Sequence, residues 1–156
     1  FTTGQTMALI FVVNIASAAG AFGFGYAQDR IGPRAALAAT LVGWIATVAL
    51  AASATTAAPF WAAAGLAGPC MGASQSCGRA LAGLFAPPDR LGEFYGLWGL
   101  ATRLASIVGP VTYGLVTWAT GGDHRLAILC TGAFFAAGLA LVAPIDVARG
   151  RRAAAP

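Results

Sequence analysis

Gly25-Tyr26-Ala27-Gln28-Asp29-Arg30-Ile31-Gly32-Pro33-Arg34 decides how this chain folds. It is a short charged island between two long uncharged runs. From Phe1 to Gln28 no residue carries a charge, and from Ala35 to Gly78 none does either. A helix needs about 20 apolar residues to cross the hydrocarbon core of a bilayer. Two runs of that length, joined by a tight Gly/Asp/Arg/Gly/Pro turn, describe membrane helices that reverse direction at the island.

The composition of the whole chain agrees. It is 58% hydrophobic and 9% charged, with a mean hydropathy of +0.76. Soluble domains average about 25% charged residues. So few charges cannot cover the surface of a soluble domain, so lipid must solvate most of it. The net charge of +4 is small, and all 9 basic residues are arginines placed mostly near helix ends. That pattern anchors helices in a bilayer and excludes nucleic acid as a partner. The 3 cysteines, Cys70, Cys77 and Cys130, lie inside apolar runs with no metal-site spacing. They read as small apolar fillers, and no metal or other cofactor is expected.

Outward from the island, the chain divides into about five spans. They cover residues 6–26, 34–54, 59–84, 93–119 and 125–147, with an arginine-rich tail over 149–156. Thr55-Thr56 and Pro59 mark the start of the third span. Pro87-Pro88 separates the third from the fourth. Gly109-Pro110 predicts a kink within the fourth. The apolar runs are continuous rather than alternating, which argues against a β-barrel. The expected fold class is therefore all-α, a polytopic helix bundle. Alternating the loops across the membrane puts Arg30, Arg34, Arg79, Arg90, Arg149, Arg151 and Arg152 on one side and Arg125 on the other. The positive-inside rule makes the first side cytoplasmic, with the C-terminus on it and the N-terminus outside. The chain opens on Phe1 without a basic leader segment, so it reads as part of a longer protein.

The island resembles the G-x-x-x-D-R-x-G-x-R signature of major facilitator superfamily transporters. Gly72-Ala73-Ser74-Gln75-Ser76-Cys77-Gly78-Arg79-Ala80-Leu81 resembles the G-x-x-Q-x-x-x-R-x-L stretch of the UMF1 branch, relatives of the vacuolar effluxers. Glu93-Phe94-Tyr95-Gly96-Leu97 and Ser106-Ile107-Val108-Gly109-Pro110 are similar to further elements of that branch, and His124-Arg125-Leu126-Ala127-Ile128-Leu129 to the start of its last helix. The resemblance runs from about Gly20 to Val142 and implies helices eight to twelve of a twelve-helix fold. It further implies a secondary transporter of a small solute, working by alternating access against a missing N-terminal half. Gly25, Asp29, Arg30, Gly32 and Arg34 would then form a conformational-switch loop, with Asp29 meeting the N-terminus of a helix from the other half. A bacterial inner (plasma) membrane is the expected location.

Within the spans, three residues stand out as lining a substrate path. Arg103 sits about 15 Å into its helix from Glu93. A charge at that depth costs about 2.5–3.5 kcal/mol on insertion scales, so it should face a polar cavity or a partner; the alternative is an arginine that snorkels to the cytoplasmic surface or is paired structurally. Gln75 and Arg79 share one helix face. Gln75 is the deeper of the two, and Arg79 reads as a gate or interface charge pairing with Glu93 or with the missing half. Asn14 is the lone amide of the first span. His124 reads as a loop residue. No nucleophile, acid–base pair or phosphate loop points to an enzyme. The other function that fits is a structural or assembly subunit embedded in a larger membrane complex.

Overall fold

Proline, glycine and capping side chains set the helix boundaries. The computed structural model describes residues 2–155, leaving the opening Phe1 and the tail residue Pro156 outside. The chain is 89% helical with no strands among the described residues. The helices are α1 (Thr3–Ile31), α2 (Pro33–Ser53), α3 (Ala57–Leu84), α4 (Leu91–Ala119), α5 (His124–Val142) and α6 (Val147–Ala154), with a 3₁₀ turn at Pro88–Arg90 before α4.

The first helix starts at a reciprocal cap. The Thr2 hydroxyl accepts from the Gln5 amide at 3.3 Å, and the Gln5 side-chain carbonyl accepts from the Thr2 amide at 2.9 Å. Its far end differs from the expected loop. Asp29, Arg30 and Ile31 complete the last turn of α1, and Gly32 alone makes the reversal. Gly32 has φ +84°, a conformation open to glycine but costly for other residues. Its amide donates to the Gln28 carbonyl at 2.9 Å. Pro33 then opens α2, at a position where its missing N–H leaves nothing unsatisfied. Thr56 stands at the start of α3 as expected but makes no side-chain cap.

At the other end of the chain, Gly121 and Gly122 turn α4 into α5 with φ of +67° and +108°. Asp123 caps α5 by accepting from the Leu126 amide at 3.0 Å. This helix ends at Val142 rather than Val147, because Pro144 cannot continue it. The arginine-rich tail is a short helix, α6, capped by Asp146, whose carboxylate accepts from the Arg149 amide at 3.0 Å.

The helices close into a bundle around α3. It packs against α1 on one side and α2 on the other; α2 also packs on α5, α5 on α4, and α4 meets α3 more lightly. Small residues make the close approaches. A Cβ at Gly72 would collide with the Ser17 carbonyl, and one at Gly20 with the Pro69 backbone. Most buried positions are correspondingly small, among them Ala36, Ala63, Ala73, Cys77, Ala127 and Thr40, with Leu81 and Val142 the larger exceptions. Cys70 and Cys77 fill the interior as free thiols. Trp44 stacks on Phe135 with ring centroids 4.9 Å apart, tying α2 to α5. Arg34 donates to the Ala143 carbonyl at one end of that pair, and Arg125 to the Ala54 carbonyl at the other, at 3.1 Å.

Large apolar side chains point outward. Trp118 is 83% exposed, Phe22 78% and Leu141 73%. Water penalises such a surface, whereas lipid does not. By length and composition α1, α2 and α5 are apolar enough to cross a membrane. At 28 and 29 residues, α3 and α4 match them in length and carry Gln75, Arg79 and Arg103.

Candidate functional site

The glycine contacts between α1 and α3 hold the two helices close and leave an open, largely apolar groove beside them, set with a few polar side chains. Asn14 and Ser17 reach it from α1, Gln75, Ser76 and Arg79 from α3, and Tyr95 from α4. Its volume is about 860 Å³, within the range of small-molecule sites. The register follows from helix geometry. Asn14 and Ser17 are three apart and Gln75 and Arg79 four apart, so each pair lies on one face. Gly72 lets those faces meet by bringing the α3 backbone against Ser17.

Hydrogen-bonding capacity in the groove is largely unspent. The Asn14 amide donates to the Ile10 carbonyl one turn back, at 2.8 Å. Neither Gln75 nor Arg79 makes a side-chain hydrogen bond or ion pair with another described residue, and both are exposed. The groove thus presents amides, hydroxyls and one guanidinium, and no carboxylate lines it. Such a set can bind and orient a solute. It holds no nucleophile with an adjacent base, and no group of His, Cys, Asp or Glu among the described residues could hold a metal ion.

The structure brings Asn14, Gln75 and Arg79 together and leaves Arg103 apart. Arg103 is exposed on α4, about 80° around the helix from Tyr95. It does not line the groove. Glu93 does not pair with Arg79. It pairs with Arg90, three residues away at the same helix start, at 2.6 Å. Both side chains are more than half exposed, so the pair contributes little. The hydrogen bond to Glu93 and its negative charge hold the Arg90 guanidinium above its usual pKa. Asp29 and Arg30 are exposed at the end of α1. Gly25 lies a turn before them within the helix, and Gly32 and Arg34 take the roles described above.

Two features escaped the sequence reading. Ser17, Ser76 and Tyr95 join the groove; the three-residue step from Asn14 to Ser17 was the available signal for the first. His124 is not a loop residue. It is the first residue of α5, and its Nδ1 lies 2.9 Å from the Tyr113 hydroxyl.

A family model described as vacuole effluxer Atg22 like matches residues 1–155. Neither the curated proteins nor the solved structures compared with the chain include a match.

Proposed function

Because this chain belongs to the Atg22-like vacuole effluxer family, a transporter family within the major-facilitator-like group, we propose that it forms one half of a secondary transporter and that the α1–α3 groove lines its solute path. The family is one of transporters rather than an enzyme class, and the chain is an integral membrane protein. The solute is small, and transport proceeds by alternating access: this half rocks against a second half so that a site near the middle of the membrane faces each side in turn. The second half is either an N-terminal segment or another subunit. All five long helices span the membrane. The arginine-rich end faces the cytoplasm, consistent with the positive-inside distribution, in a bacterial inner membrane.

One observation carries the reading. The polar residues inside α1 and α3, Asn14, Ser17, Gln75 and Ser76, converge on one open groove instead of pairing with each other. Polar groups inside a membrane span are costly unless they meet water, a partner or a ligand. If they served only as glue between helices, they would be bonded across the interface.

The test uses Ala18, which lines the groove and is exposed. In a protein whose native cysteines are replaced by alanine, Ala18→Cys should react with an uncharged, membrane-impermeant maleimide from either face of sealed vesicles. Reaction from one face alone, or from neither, would reject alternating access and favour the assembly-subunit reading.

A further inference from the structure

A second pocket, apart from the groove, lies where three spans reach one face of the membrane. α1 ends at Ile31, α2 opens at Pro33 and α5 ends at Val142, and all three are long and apolar enough to cross. Their ends therefore stand at a membrane–water boundary. Pro144 stops α5 there, and Asp146 restarts the chain as α6 by capping it. The space between the α1–α2 turn and the α5–α6 turn has a volume of about 870 Å³.

Helix geometry brings Arg151 to it. Gly150 packs on Phe85 at the end of α3, where a Cβ would sit 2.6 Å from the ring, and Ala154, one turn on, is buried on the same face. At about 100° per residue, Arg151 turns off that face into the pocket, while Arg152 turns away from the bundle and does not line it. Arg34 enters from the first turn of α2. One N–H of its guanidinium donates to the Ala143 carbonyl, which ties the two turns together and leaves the other donors free. Arg151 makes no hydrogen bond or ion pair with another described residue. Leu139, Val142, Ile145 and Val147 give the pocket apolar walls. Asp146 is the one carboxylate lining it, and its Oδ1 accepts from the Arg149 amide at 3.0 Å. Two guanidinium charges against one carboxylate leave a single positive charge.

An arginine at the end of a span is ordinarily an anchor among headgroups, and Arg30, Arg149 and Arg152 need be no more than that. Arg34 and Arg151 differ, because they come from opposite ends of the chain to one walled space. Guanidinium groups match the oxygens of a phosphate. The apolar walls suit glycerol and the first methylenes of an acyl chain, and a free anion would gain nothing from them.

We propose that this pocket binds the headgroup of an anionic phospholipid, with its phosphodiester met by Arg34 and Arg151. Its acyl chains run inward past Ala38 and Leu139, which lie one turn deeper on α2 and α5. The single negative charge of such a phosphodiester balances the single positive charge of the pocket. The proposal rests on α1, α2 and α5 crossing the membrane, and not on the solute path or on alternating access.

Native mass spectrometry of the full chain in detergent, titrated with dioleoyl phosphatidylglycerol, tests it. One lipid should stay bound per chain. Arg151→Gln should weaken that binding about fivefold, the share of one arginine at an anionic lipid surface, whereas Arg152→Gln, which removes the same charge outside the pocket, should leave it within about twofold. Arg34 is kept in both variants, since its bond to Ala143 would make a change there structural as well. Dioleoyl phosphatidylethanolamine should bind more weakly than phosphatidylglycerol, and inorganic phosphate should not displace the lipid. Thermal unfolding without lipid should be the same for both variants and the parent, because both side chains are exposed. Equal weakening by the two variants would overturn the proposal by making the attraction a diffuse surface effect. Equal binding of phosphatidylethanolamine would overturn it by making the occupant zwitterionic, and displacement by phosphate by making the pocket a free-anion site. Absence of bound phosphatidylglycerol would overturn it outright. None of these readouts involves the groove, so they stand whatever the labelling of Ala18→Cys shows.

Discussion

Glycine does opposite things at equivalent-looking steps of this chain. Gly68 and Gly72 form a small-residue step against α1; a Cβ at Gly68 would sit 2.6 Å from that of Ala16. Gly92 and Gly96 form the same step on α4, yet nothing lies within 4 Å of where their Cβ atoms would be. Substitution should therefore separate the two. Gly72→Val forces the α3 backbone away from Ser17 and should destabilise the bundle by about 1–3 kcal/mol, the usual cost of overpacking. Gly96→Val should leave the melting temperature of the isolated chain nearly unchanged. Thermal unfolding in detergent compares them directly, and equal losses would mean that α4 is as tightly enclosed as α3. The hydroxyl of Tyr113 offers a finer check. Tyr113→Phe leaves His124 without its partner and should cost about 1 kcal/mol, seen as earlier melting. In the sequence the two glycine steps look alike, because spacing reveals a helix face but not which neighbour occupies it.

The charged island shows how far an element can be read from its residues. Its reversal is legible, since Gly32-Pro33 is a helix stop followed by a helix start. The helical state of Asp29 and Arg30 is less so, because polar residues after an apolar run look like a loop. The early end of α5 was available in Pro144 but was masked by the apolar residues around it. The result places Asp29 in the last turn of α1, where the helix dipole disfavours an anion. Arg30, beside it, is favoured by the same dipole. A carboxylate held in that position suits an approaching N-terminus of another helix, where an anion gains about 0.3–1 kcal/mol, or up to about 2 when partly buried. Asp29→Asn should accordingly leave the isolated chain as stable as before. In the complete transporter it should lower the transport rate while solute affinity stays within a few fold. A loss of solute binding at normal expression would place Asp29 in the path instead of at a moving contact.

At the scale of the molecule the question is what covers α4. None of its residues is buried, although helices α1, α2, α3 and α5 each bury at least one. Arg103 stands on its open side with Gly92 and Gly96, exposed, and its guanidinium makes no hydrogen bond or ion pair with another described residue. The sequence made this charge conspicuous. It did not show that Asn14, Gln75 and Arg79 would share a groove without it, because that depends on the register between α1 and α3. If the orientation proposed above holds, a cysteine at the exposed Ala35 should react only from the cytoplasm and one at the exposed Thr120 only from outside. Arg103 then lies near the middle of the membrane, where lipid alone would cost it about 2.5–3.5 kcal/mol. A charge retained at that cost has water, a second half or a solute beside it. Arg103→Ala should therefore abolish transport while the protein still inserts, and Arg103→Lys should keep part of the activity, since the point charge remains but the planar fork is lost. Arg103→Cys separates the remaining possibilities. Labelling by an impermeant reagent would put position 103 on the aqueous path opposite the groove. Protection from both faces, together with near-normal transport by Arg103→Ala, would make it a surface anchor and leave Arg79 as the charge that the path depends on.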